Sequence, residues 1–182
     1  MTAPALAGPD RVFAFADSLV EQAAPASASG VPARFETWVT FRLAGERYAL
    51  PVPTVQEVLR VGMITRVPHA PYPVRGIINL RGRVVPLVDV RRRIGLPPGE
   101  PDVRSRVLIA DARGRVVGLL VDEVDQVVRL DRNAVEPPPE GVVTERAQYL
   151  IGVYQWRDSL LILLDAEQVL VIPDGEARST VP

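Results

Sequence analysis

Two kinds of side chain occur in numbers and spacings that could do chemistry: carboxylates and arginines. Asp122, Glu123 and Asp125 cluster, and Asp165 and Glu167 form a second group. Paired carboxylates can run hydrolysis as acid and base, but acids at strand and helix ends more often face water or cap backbone groups. Arg75, Arg81, Arg83, Arg91, Arg92 and Arg93 crowd a stretch whose acid is Asp89. Such a run can bind phosphate or nucleic acid. It contains no aromatic residue on which a base could stack, and the whole chain carries a net charge of −1. For Arg91–Arg93 the expectation is therefore a charged exterior, favourable at a helix C-terminus.

The residue types that are missing narrow the field further. All 21 basic residues are arginine, there is no cysteine, and His69 is the one histidine. Schiff-base, P-loop and thiol chemistry lack their residues, and a multi-histidine metal site cannot form. His69 stands among prolines in "VPHAPYP" and reads as a surface residue, so no metal or cofactor is expected. No segment approaches the roughly 20 apolar residues of a membrane span, and the N-terminus lacks the basic-then-apolar pattern of a signal peptide.

Elements must position whatever these side chains do. Residues 1–34, rich in alanine, proline and serine, read as a disordered tail, within which Asp10 could cap a short amphipathic helix over 10–22. The domain is expected over 35–172, with 173–182 as a C-terminal tail. "ETWVTFRL" alternates, placing Trp38, Thr40 and Arg42 on one face and Thr37, Val39, Phe41 and Leu43 on the other. "RYALPV" returns as a strand after the turn "AGE". Pro53 and the spacing of Val55, Val58 and Leu59 then predict one or two helical turns over "PTVQEVLRV". Hairpins follow at Arg81-Gly82, Arg113-Gly114 and Arg157-Asp158, with short helices at "VDVRRRIGL" and "AEQVL". About nine or ten short strands result, a pattern of small barrels or a sandwich. "RGRVV" occurs at Arg81–Val85 and again at Arg113–Val117. Two hairpins could share one glycine turn independently, or each of two barrels could carry a similar hairpin.

Glu57 and Arg81 are the pair that invites a functional reading. Glu57 interrupts an apolar stripe and Arg81 leaves a hairpin turn. An exposed ion pair contributes only about 0–1 kcal/mol to stability, so specificity is the better use for it. Asn79 is expected to belong with them, because the second "RGRVV" has no asparagine two residues before its arginine.

The ordered set "VQEV", "GIINLRG" and "VVPLVDVR", continued by "VVGLLVDEVDQVVRL" and "YLIGVYQWRDSLLILLD", resembles the CheW family of chemotaxis coupling proteins from about Phe35 to Leu170. The resemblance implies a mainly β fold of two five-stranded SH3-like barrels around a shared hydrophobic core. It implies a non-catalytic scaffold that couples the cytoplasmic tips of methyl-accepting chemoreceptors to the regulatory domain of a CheA-type histidine kinase, in rings with other CheW-like modules. It would act in the cytoplasm, recruited to receptor arrays, without membrane insertion or nucleic acid. By motif, Val55, Glu57 and Val58, then Gly76, Asn79 and Arg81, match binding-surface positions, and Val124 and Val127 match the far wall of a receptor groove. The long N-terminal tail and the basic Arg91–Arg93 leave room for a specialised paralogue serving another pathway, such as twitching motility. A nucleic-acid-binding barrel using Arg75–Arg93 is the competing reading, and an acid-only hydrolase a third.

Overall fold

The computed structural model describes residues 32–112, 114–138 and 147–172. The expected helix over 10–22 and the two tails lie outside them, apart from 32–34. Ten strands and two short helices form: β1 (Phe35–Leu43), β2 (Glu46–Pro51), β3 (Val55–Arg60), β4 (Val74–Leu80), β5 (Arg83–Asp89), α1 (Val90–Arg93), β6 (Arg106–Ala112), β7 (Arg115–Val121), β8 (Glu123–Asp131), β9 (Leu150–Trp156), β10 (Ser159–Leu164) and α2 (Ala166–Leu170). Local chemistry explains the joints. Ala44-Gly45 (φ 52° and 88°) and Arg81-Gly82 (φ 51° and 83°) adopt the left-handed pair of a two-residue hairpin turn that matches strand twist. Asp89 and Asp165 each accept backbone N–H groups at the start of α1 and α2.

One expected element is replaced. "VQEVLR" is not helical: a single 3-10 turn over Val52–Thr54 gives way to β3, which pairs antiparallel with β6. Pro53 does start a helical turn, as predicted. A β-bulge between Val55 and Glu57 then shifts the strand's parity, so apolar residues fall at helical intervals within an extended chain.

The strands form two five-stranded sheets, ordered β8-β1-β2-β10-β9 and β3-β6-β7-β5-β4. In chain order, β1–β5 with α1 and β6–β10 with α2 are two equivalent units that exchange their first hairpins. The β1–β2 hairpin lies in the sheet of β8–β10, and the β6–β7 hairpin in the sheet of β3–β5. The equivalence holds residue by residue. Val55 opposite Ala110 repeats as Val124 opposite Phe41, with a bulge following in both. Gly76 opposite Leu87 repeats as Gly152 opposite Leu163, again beside matched bulges. The parallel contact of Leu87 with Gly118 repeats as Leu163 with Ala49. Each sheet closes into a barrel through one bridge between its edges: Thr65 with Ile77, and Glu136 with Val153.

This arrangement corrects the reading of the "RGRVV" echo as one hairpin per barrel. Both copies lie in the same sheet, at the β4–β5 and β6–β7 turns. The partner of β4–β5 in the other barrel is β9–β10, whose turn Arg157 shares the left-handed φ of Arg81 (53° against 51°).

Apolar residues gather in three clusters. Trp38, Ala49, Val128, Leu130, Tyr154, Leu161 and Leu163 fill the first barrel, and Leu87, Val107, Ile109 and Leu120 fill the second. The largest cluster, with Phe41, Leu50, Val88, Leu108, Leu119, Leu164 and Val169, lies between them and draws on both sheets. β1 serves both demands, sending Trp38 into its barrel and Val39, Phe41 and Leu43 into the shared core. The predicted split of faces is therefore present. Thr40 is buried as well, where its hydroxyl donates to the Gln126 carbonyl (2.9 Å) at the β8 bulge.

Both closing bridges press on a glycine. A Cβ on Gly76 would overlap the Thr65 carbonyl oxygen, and one on Gly152 the Glu136 carbonyl oxygen. Gly76 also has φ 154°, rare for other residues. Gly76→Ala and Gly152→Ala are each expected to destabilise by about 1–3 kcal/mol. Because the core is shared, both should lower one common transition in urea, followed by circular dichroism and tryptophan fluorescence, rather than split it in two.

Candidate functional surface

β3 and β4 are the edges of the second barrel's sheet, and barrel closure brings them together. Glu57 on β3 and Arg81 at the β4–β5 turn meet across that seam, with Arg81 Nη2 donating to Glu57 Oε2 at 2.8 Å. The carboxylate is mostly shielded and the guanidinium is not: their side chains are 22% and 78% exposed. An arginine held at one end, with most of its surface in water, retains donors for a partner. The equivalent of Glu57 on β8 is Gln126, so this ion pair belongs to one barrel only.

Asn79 has a different explanation from the expected one. Its Oδ1 accepts the Gly82 N–H at 2.8 Å, closing the hairpin turn. At the second "RGRVV", Asp111 stands at the same place and accepts the Gly114 N–H at 2.7 Å. The second turn does have its own side-chain cap, an aspartate in place of the asparagine. Turn chemistry therefore accounts for Asn79, and the excess at the first hairpin is Arg81 with Glu57.

The other sequence-predicted residues divide by exposure. Val58 presents 41% of its surface on the edge strand beside Glu57. Val55 does not join it: only 7% exposed, it packs in the shared core, because the bulge after it turns its side chain inward. Gly76 is buried and held by the Thr65 contact, a backbone constraint. Val124 and Val127 are half-buried on β8 against the shared core, at the register positions equivalent to Val55 and Val58. The set thus lies on three edge strands, β3, β4 and β8, and on the β4–β5 turn.

Arg91–Arg93 are not the charged exterior expected of them, and Arg75 in the same stretch is engaged as well. Arg75 is nearly buried and contacts Asp89, Glu100 and the Gly99 carbonyl. Arg91 Nε donates to Asp122 at 2.8 Å, and this hydrogen bond, partly opposed by burial, raises the guanidinium pKa above its ordinary value. Arg92 pairs with Asp89 and lies over the Tyr72 ring, while Arg93 donates to the Gln168 carbonyl and lies over Tyr149. Guanidiniums spent on internal partners are poor phosphate ligands. The acids are likewise engaged: Asp122 and Asp125 hold Arg91, Arg42 and Arg47, and Asp165 caps α2. His69 is exposed, as expected. No group of three or more potential metal ligands occurs among the described residues.

Two fused SH3-like barrels, with a tethered ion pair at one seam and Val58 exposed beside it, have the makings of an interaction module. A family model for the CheW-like domain matches residues 37–173, and the chain belongs to that family. The chain is 34% identical over 148 residues to the chemotaxis protein CheW of Bacillus subtilis, covering 81% of this chain and 93% of the relative. It is 32% identical over 139 residues to the chemotaxis protein CheW of Rhizobium meliloti, covering 76% and 90%. Protein FrzA of Myxococcus xanthus is 32% identical over 133 residues, covering 72% and 82%. The crystal structure of the scaffolding protein TtCheW from Thermoanaerobacter tengcongensis superposes with a TM-score of 0.69 at 31% identity, covering 81% of this chain and 96% of that one.

The turn and the ion pair separate in their effects on stability. Asn79→Ala loses the Gly82 bond and should cost about 0.5–1.5 kcal/mol, whereas Arg81→Ala should stay within about 1 kcal/mol of wild type. Asn79→Asp, which copies Asp111, should retain most of the wild-type stability. Urea unfolding of the three variants measures the difference.

Proposed function

We propose that this chain is a non-catalytic scaffold for chemotaxis signalling, coupling the cytoplasmic tip of a methyl-accepting chemoreceptor to the regulatory domain of a CheA-type histidine kinase. The observation that carries the reading is the Glu57–Arg81 pair across the β3–β4 seam, in a chain of the CheW-like family. The pair adds little to stability, so its geometry is better explained by a partner. Val58, beside Glu57, supplies apolar contact, and Val124 and Val127 on β8 form the opposite wall of the receptor groove. Asn79 and Gly76 support this surface by shaping the hairpin that carries Arg81.

Coupling through such a surface is a linkage between two binding sites: the receptor's state changes the kinase's affinity or geometry, and the reverse. Each contact is individually weak, and multivalency in a lattice with other CheW-like modules supplies avidity. The chain works in the cytoplasm and joins receptor arrays by binding. No helix among the described residues is long and apolar enough to cross a membrane.

Arg81→Ala is expected to abolish receptor-dependent activation of the kinase while leaving the circular dichroism spectrum native. The reversed pair Glu57→Arg with Arg81→Glu should fold and still fail, because the ion pair is restored but the charge offered to the partner is inverted. Activation assays with purified receptor membranes and kinase read this out. Wild-type activation by Arg81→Ala would remove the role assigned to Arg81.

A further inference from the structure

The two edge strands that carry the valines, β3 and β8, share one backbone plan. Each has a bulge that leaves one residue unopposed: Gln56 between Val55 and Glu57, and Asp125 between Val124 and Gln126. A bulge interrupts the ladder, so the side chains that fasten it decide how far the strand yields.

At β8 the exchanged hairpin β1–β2 fastens the bulge. Buried Thr40 donates its hydroxyl to the Gln126 carbonyl at 2.9 Å and accepts the Gln126 N–H at 3.2 Å. Such a reciprocal pair away from water holds more firmly than one at the surface. Asp125, its side chain only 17% exposed, is held by Arg42 Nε at 3.1 Å and by Arg47 Nε at 3.6 Å. At β3 the same positions offer less. Ile109 stands where Thr40 does, and its side chain has no polar group for the bulge. Gln56 is exposed and reaches Asp111 through a hydrogen bond of 3.4 Å. β3 is also shorter, six residues against nine. Its Glu57 is tied across the seam to the exposed Arg81.

We propose that Thr40 and Asp125 make β8 a fixed wall and leave β3 the wall that yields, so that a partner seated against both is accommodated by movement of β3. Glu57 directly follows the β3 bulge, so this movement reaches Arg81 through the ion pair. One strand whose position both partners bias gives the linkage between two binding sites a physical carrier. Thr40 is buried and touches no partner itself; it is a positioning residue for Val124 and Val127. The identity of the partner rests on the scaffold function proposed above, whereas the difference between the strands rests on this chain alone.

Amide hydrogen exchange of the full chain, followed by NMR, tests that difference without a partner. The Glu57 amide should be protected at least about tenfold less than its equivalent, Gln126. Thr40→Val keeps the side-chain shape and removes the hydroxyl, so it should lower protection at Gln126 by about tenfold while β9 and β10 keep theirs. Thr40→Ser, which retains the hydroxyl, should hold Gln126 near its wild-type protection. Equal protection of Glu57 and Gln126 in the wild-type chain overturns the inference. So does a loss in Thr40→Val that spreads evenly over all strands, which is what a merely structural role predicts. Adding a soluble cytoplasmic fragment of a methyl-accepting receptor supplies the second measurement. Protection should rise at Glu57 and stay within about twofold at Gln126. A rise at Gln126 with none at Glu57 overturns the inference. If the fragment changes neither strand, the receptor assignment of this surface fails, and the free-chain comparison still decides between β3 and β8.

Discussion

Each barrel is built from three strands of one unit and a hairpin of the other, so neither can close its interior without the other half of the chain. The exchanged hairpins must satisfy two apolar clusters at once. β1 sends Trp38 into its barrel and Phe41 into the shared core, and β6 likewise divides Ile109 from Leu108. Large residues meet small ones across the equivalence: Phe41 and Tyr48, stacked at 6.3 Å, correspond to Ala110 and Val117. Removing Phe41 would therefore leave a cavity where both units meet, at a cost of about 3–5 kcal/mol. The shared core makes one cooperative body of two small sheets that would each be marginal alone.

That demand leaves the edges to other devices. β3 with β4, and β8 with β9, are the outer strands, and unprotected edges invite unwanted pairing. Each pair is brought together by one backbone bridge over a glycine, with bulges that interrupt the regular ladder. In one barrel the seam carries the Glu57–Arg81 pair as well. A surface next to such a seam is polar at its rim and apolar beneath, which suits reversible recognition by a partner.

The two units keep one backbone plan and diverge in charge. Asp89 at the first helix gathers Arg75 and Arg92, while the position equivalent to Arg75 in the second unit is Ile151, half-buried against the first barrel's apolar cluster. Glu57 becomes Gln126, and Arg91 becomes Glu167. A scaffold with near two-fold geometry and unlike surfaces can bind different partners at its two ends without pairing with itself symmetrically. The coupling role proposed for this family member requires that property.

How much of this was legible in advance follows from the range of each interaction. Turns, caps and strand positions were readable because they depend on neighbours in sequence: Arg81-Gly82, the aspartates before α1 and α2, and the alternation of "ETWVTFRL". The ordered motifs from "VQEV" to "VVPLVDVR" also carried the family. Several readings failed, each through a contact that sequence proximity does not reveal. β3 looked helical because a bulge imitates helical spacing, and pairing with β6 decides otherwise. Asn79 looked surplus because its counterpart is an aspartate, recognisable only once both side chains are seen on their turns. The echoed "RGRVV" was open to one hairpin per barrel or to two independent turns, and the exchange, which places both in a single sheet, rules out the first. By itself the sequence determined most of the strands, the turns and the family. Only the tertiary structure decided which sheet each hairpin joins and which arginines remain free, because burial and ion pairing are set by segments far apart in the chain.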